Sequence, residues 1–141
     1  MRQTISFITL GVGDLARSRA FYAALGWRES SASQPGIAFF NAGGVVFALF
    51  PRAALAEDAN VFAEGSGFPG FALAHNVASE AAVDSLLAEA VAAGGRLVRR
   101  AGQVFWGGYR GYFADPDDFL WEVCWNPFVL LDEQGHVRLP E

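Results

Sequence analysis

Apolar and polar positions change period along the chain in an order that occurs twice. Residues 5–12 read as a strand, with Phe7, Thr9 and Gly11 on one face and Ile8 and Leu10 on the other. Asp14 follows where an N-cap would satisfy free helix amides, and Ser18, Phe21, Tyr22 and Leu25 then share one helical face until Gly26 ends the helix. Residues 27–31, 37–41 and 45–50 read as three further strands, the last two joined by Ala42, Gly43 and Gly44, a turn in which glycine supplies positive φ. The predicted order is βαβββ.

Residues 57–69 mix polar side chains with Gly and Pro and sustain no period, so they read as a connector. Beyond them lie a strand at 71–77, an N-cap at Ser79, a helix stripe of Val83, Leu86, Leu87 and Ala90, a stop at Gly94 and Gly95, and strands at 96–100, 109–114 and 120–125. The order is βαβββ again. Adding 65 to Val12, Phe21, Tyr22 and Leu25 lands on Val77, Leu86, Leu87 and Ala90, so strand-to-helix register repeats between halves. The expected architecture is α+β: two βαβββ modules pairing into a half-open mixed barrel with the helices outside and a concave inner face. All 141 residues form one domain on this reading, with module one at 5–51, a connector at 52–69, module two at 70–127 and a C-terminal hairpin tail at 128–141 that covers strand edge.

Composition narrows the function classes. The 52% hydrophobic fraction, with 13 Phe and 4 Trp, implies a large core, an apolar pocket or an oligomer interface. A net charge of -5 and scattered Lys and Arg argue against nucleic acid. No signal-peptide pattern or membrane-length apolar run stands in the chain, and a single cysteine, Cys124, fits a reducing compartment, so a cytoplasmic protein without a membrane partner is expected.

Two segments carry a family resemblance. Val12-Gly13-Asp14-Leu15-Ala16-Arg17-Ser18, then Phe21-Tyr22 and Leu25-Gly26, resembles the first strand and helix of vicinal oxygen chelate proteins, the glyoxalase, bleomycin-resistance and extradiol dioxygenase superfamily. Gly111-Tyr112-Phe113-Ala114-Asp115-Pro116-Asp117 with Leu120-Trp121-Glu122-Val123 resembles that superfamily's closing hairpin, with Asp118 where glycine is usual, a position at which Asp tolerates the left-handed conformation. The resemblance implies metal ligands on the first and last strand of each half. Those positions correspond here to Phe7, Gly70, the segment Phe47, Ala48 and Leu49, and Glu122, of which Glu122 alone is a donor. One side-chain ligand does not hold a divalent ion, so a metal-ligand-depleted subgroup with no metal and no cofactor is expected, and neither a metal-dependent lyase nor a dioxygenase. His75, at an odd offset from Gly70, points away from the ligand position.

Strand parity then proposes the ligand-binding side chains: Phe7, Thr9 and Phe47 in the first half, and Arg110, Tyr112 and Glu122 in the second, with Phe105 and Trp106 as an aromatic lid or plug beside them. An Arg110–Glu122 pair would be the polar handle of an otherwise apolar cavity, and its carboxylate would favour cationic ligands. The expected function is binding of a small, partly apolar molecule by a homodimer, with Trp121, Trp125 and Phe128 as spare apolar surface. The alternatives are a metal-independent enzyme with Glu122 as acid or base, the only catalytic candidate, and a structural dimer without ligand.

Overall fold

Asp14 opens the first helix as its spacing predicts. Its carboxylate accepts a hydrogen bond from the Arg17 amide at 3.0 Å, capping α1 (Leu15–Ala24) at the end of β1 (Phe7–Val12). The structure, a computed structural model, describes residues 5–69, 71–129 and 131–137. It divides into two compact units, Met1–Pro69 and Gly70–Glu141.

In the first unit, β2 (Ala38–Ala42) turns through Gly43 and Gly44, both at positive φ, into β3 (Val45–Pro51). The sheet order is β1-β3-β2, with β1 parallel and β2 antiparallel to β3. The strand expected at residues 27–31 shrinks to a bridge between Glu29 and Phe40. Serines explain the loss: the Phe39 amide donates to the Ser33 hydroxyl at 2.8 Å, so a side chain takes a backbone donor that a ladder would use. Buried Phe21 and Tyr22 from α1 pack with Trp27, Phe40 and Phe47 in an aromatic cluster, Tyr22 and Phe47 standing 5.0 Å apart between ring centres.

The first half of the expected connector is a helix, α2 (Arg52–Asp58). Its run of Ala, Leu and Glu has high helix propensity, but at under two turns with only Ala56 buried it shows no period to read. Gly11 lets it approach β1: a Cβ there would lie 3.3 Å from both the Arg52 Cα and a Leu55 methyl.

The second unit keeps the full βαβββ order. It runs β4 (Leu73–Asn76), α3 (Glu80–Ala92), β5 (Arg96–Gln103), β6 (Tyr109–Ala114) and β7 (Leu120–Trp125), with sheet order β4-β7-β6-β5. The Ser79 hydroxyl caps α3 by accepting from the Ala82 amide at 3.1 Å. Val83, Leu87 and Ala90 are buried, as are Phe113, Trp121 and Val123 on the strands that α3 covers, with the rings of Phe113 and Trp121 stacked 6.1 Å apart. Gly111 sits under Leu87 because nothing larger fits: a Cβ would meet the Leu87 methyl at 2.6 Å and the Arg99 carbonyl oxygen at 2.9 Å. The Asp115 carboxylate accepts from the Asp117 and Phe119 amides at 2.9 Å each, and Asp118 takes φ 66°, the left-handed conformation expected where glycine is usual. Of the predicted tail hairpin, residues 130 and 138–141 lie outside the described residues, and the rest shows one bridge, Leu131 to Val137. No helix among the described residues is long and apolar enough to cross a membrane.

Candidate ligand-binding site

Antiparallel pairing brings three of the predicted residues together on the second module's sheet. Tyr112 and Glu122 are direct partners across β6 and β7, and Arg110 stands one pair further along, opposite Cys124. Arg110 Nη1 donates to Glu122 Oε2 at 2.8 Å and to the Tyr112 hydroxyl at 2.8 Å, and that hydroxyl itself donates to Glu122 Oε2. The ion pair is about three-quarters buried, its side chains 27% and 21% exposed. Arg110 also lies over the Tyr112 ring, 5.4 Å from its centre.

Charge follows from this packing. Burial and donation to the Glu122 carboxylate, whose charge adds to both, hold the Tyr112 phenol above its ordinary ionisation range. Burial opposes the Arg110 charge, but its hydrogen bond to Glu122 and the attraction of that carboxylate outweigh it, so the guanidinium is held more firmly than usual. Arg110 Nε is buried with no partner among the described residues, an unsatisfied donor of the kind that marks functional or strained sites. Desolvation first, then the Glu122 charge, raises the thiol of buried Cys124, which suits a packed neutral side chain rather than a nucleophile.

Other predicted residues lie elsewhere. Phe7 is 57% exposed and meets Phe39 edge-on at 6.2 Å, and Thr9 pairs with Ala48. Phe47 needs correction: it pairs with Ile8, is 2% exposed, and is walled by Tyr22, Trp27 and Phe40, so it belongs to the α1-side core and turns away from the Phe7 and Thr9 face. Gly11, expected to face a cavity, lies under α2. At the β5–β6 hairpin tip Phe105 is fully exposed, whereas the Trp106 indole lies against Gly108, 1.9 Å from where a Cβ would stand. Trp121 is 7% exposed beneath α3 and offers no interface surface, unlike Phe128. His75 pairs with Val123, on the face opposite Glu122, and desolvation lowers its pKa.

The sequence reading missed Arg99. Register places it opposite Tyr112 on β5, extending one row across four strands: Ala74, Glu122, Tyr112, Arg99. On the sheet's other side, α3 and β5 form an open groove of about 570 Å³ whose lining includes Asp84, Leu87, Val91, Leu97 and Arg100.

Comparison with known proteins settles the family. Residues 4–123 match the Glyoxalase/Bleomycin resistance protein/Dioxygenase superfamily. The chain belongs to that superfamily. Among curated proteins none matches it significantly. It is similar to a glyoxalase-related enzyme from Fulvimarina pelagi at 40% identity over 99% of both chains, with a TM-score of 0.90. A glyoxalase/bleomycin resistance protein/dioxygenase family enzyme from Burkholderia phytofirmans PsJN shares 25% identity over 85% of this chain and 96% of that one, at a TM-score of 0.77. Lactoylglutathione lyase from Agrobacterium tumefaciens, at 21% identity, TM-score 0.66 and coverage of 89% and 96%, shares the fold.

In this vicinal oxygen chelate protein the described residues at the positions where the family resemblance implies metal ligands supply one donor, Glu122. Among the described residues no three His, Cys, Asp or Glu side chains come together as a donor set. Glu122, the donor left at a ligand position, gives Oε2 to a guanidinium at 2.8 Å, and a bound cation there would repel a metal ion. Gly70, the remaining mapped position, lies outside the described residues.

Proposed function

We propose that this chain is a metal-free member of its superfamily that binds a small, partly apolar molecule over the sheet of its second module. The observation that carries the reading is the bonding of Glu122: both Arg110 and Tyr112 converge on one carboxylate oxygen, filling the lone pairs of Oε2 and placing a guanidinium charge where a metal ion would have to approach. That cluster holds the guanidinium as an oriented donor and a Tyr112 hydroxyl lone pair as an acceptor among the Leu120, Ala74 and Cys124 positions, the arrangement of a few convergent polar groups in apolar walls that suits small-molecule recognition. Proton transfer is poorly supported, because the Tyr112 phenol, raised above its ordinary range, is a weak acid at neutral pH and Glu122 Oε2 already accepts from both Arg110 and Tyr112.

The two modules are read as one domain, a reading supported by similarity to a single solved chain over 99% of both lengths. Exposed Phe105 and Phe128 support a homodimer, and the lone buried Cys124 supports work in a reducing, cytoplasmic compartment. A thermal-shift panel of small aromatic compounds, run with and without EDTA, tests the binding reading. Compounds that raise the melting temperature equally in both conditions support it. Stabilisation that vanishes with EDTA, or none from any compound, contradicts it.

A further inference from the structure

The proposed ligand face carries more positive than negative charge. Register places three arginines on the Glu122 side of the second sheet: Arg96 opposite Ala114, Arg99 opposite Tyr112, and Arg110 opposite Cys124 and Gly102. Two are matched. Arg96 pairs with Asp118 at 2.7 Å and Arg110 with Glu122 at 2.8 Å. Arg99 has no ion-pair partner among the described residues and is exposed.

A bulge explains why Arg99 faces this way. Register shifts interrupt the β5–β6 pairing on both sides of Arg99, so straight alternation from Arg96 fails there. Its neighbour Arg100 lines the α3 groove on the far side, together with Leu97 and Ala101. Gly102, opposite Arg110, has nothing among the described residues within 4 Å of where a Cβ would stand, so they leave the flank of the guanidinium open. Arg110 spends Nη1 on Glu122 and Tyr112, leaving Nη2 without a bond to a described residue.

We infer that the site selects ligands bearing a carboxylate or similar monoanion, with Arg99 as the unmatched cation that receives it beside the outer edge of Arg110. The inference rests on the small-molecule binding reading above and adds the charge class of the ligand. It reverses the preference that the Glu122 carboxylate alone would give, because that charge is already spent inside the protein. The electrostatic influence of Arg99 on the Tyr112 phenol supports their proximity. Apolar Leu120 in the adjoining row and Ala74 at the far end of the Arg99 row suit an aromatic or aliphatic body, with the anion held at the β5 edge.

Three probes of one shape separate the possibilities: 2-naphthoate, 2-naphthamide and 2-naphthylmethylamine, titrated by calorimetry into the full chain. The wild type should bind the naphthoate about tenfold more tightly than the amide, the scale of one charge-assisted contact, and the amine most weakly. Arg99→Gln should bring the naphthoate down to the affinity of the amide and leave the amide unchanged. Arg100→Gln removes the same formal charge from the other side of the strand and should leave the naphthoate preference intact. Both positions are exposed, so each variant should melt within about 2 °C of wild type. Amide or amine binding as tight as naphthoate, or an equal loss in Arg100→Gln, overturns the charge assignment while leaving the binding reading standing. Failure of all three probes to bind at millimolar concentration overturns both.

Discussion

Replacing Glu122 by Leu should destabilise the chain, and replacing Arg110 by Met in the same molecule should restore most of what is lost. The single change leaves a guanidinium about three-quarters buried without its counter-charge, with an Nε that already lacks a partner among the described residues. Removing one member of a fully buried pair costs about 3–5 kcal/mol, and a hydrogen bond to a charged group contributes about 1.5–3 kcal/mol. With a quarter of each side chain reaching water, the lower range applies, and a cost of about 2 kcal/mol is expected. For a domain of this size that is a fall of about 7 °C in melting temperature. The double variant substitutes packed hydrocarbon for the pair and should lie within about 1 kcal/mol of wild type, a coupling of about 2 kcal/mol. Urea unfolding of wild type, both singles and the double measures it. Additive losses, or a Glu122→Leu cost below about 0.5 kcal/mol, would refute the reasoning that the pair is a desolvated unit.

Gly111→Ala should cost about 1–3 kcal/mol, read by the same unfolding assay, because its Cβ at 2.9 Å from the Arg99 carbonyl oxygen must displace β5 backbone; a neutral result would mean the strand yields freely. Tyr112 should ionise above pH 10 in a spectrophotometric titration, and Glu122→Gln should lower that midpoint by removing the adjacent charge. The sign for stability follows: a phenol raised by folding contributes nothing against stability below about pH 10, and stability falls as pH climbs from there through the folded value, since the unfolded chain releases its proton first. Light scattering should report about twice the 15.1 kDa chain mass if Phe105 and Phe128 lie in a dimer interface, whereas a monomer at high micromolar concentration contradicts the homodimer.

Elements set by local chemistry were legible in the sequence. Asp14 and Ser79 cap helices where they were expected, β6 and β7 have the predicted bounds, and Asp118 is left-handed. The Arg110, Tyr112 and Glu122 group was legible too, because parity along two regular strands and a tight turn leaves little freedom. What the sequence concealed depended on pairing. Nothing in the sequence marks the partner of Phe47, which parity alone sets with Phe7 and Thr9, and its pairing with Ile8 places it among the α1 rings. Arg99 was hidden by a bulge, which shifts parity within a strand and leaves no compositional mark. Helix α2 was concealed by its length, since under two turns cannot display a helical period.

The central claim is that the second-module cluster is a ligand site that works without a metal. The most direct measurement is a titration of the isotope-labelled chain, in EDTA, with the tightest compound from the thermal-shift panel, followed by ¹H–¹⁵N correlation spectra. The account predicts that the largest shifts fall on Arg110, Tyr112 and Glu122 and on their neighbours Arg99 and Cys124. Shifts confined to Leu87, Val91 and Leu97 around the α3 groove, or binding that disappears in EDTA, would contradict it.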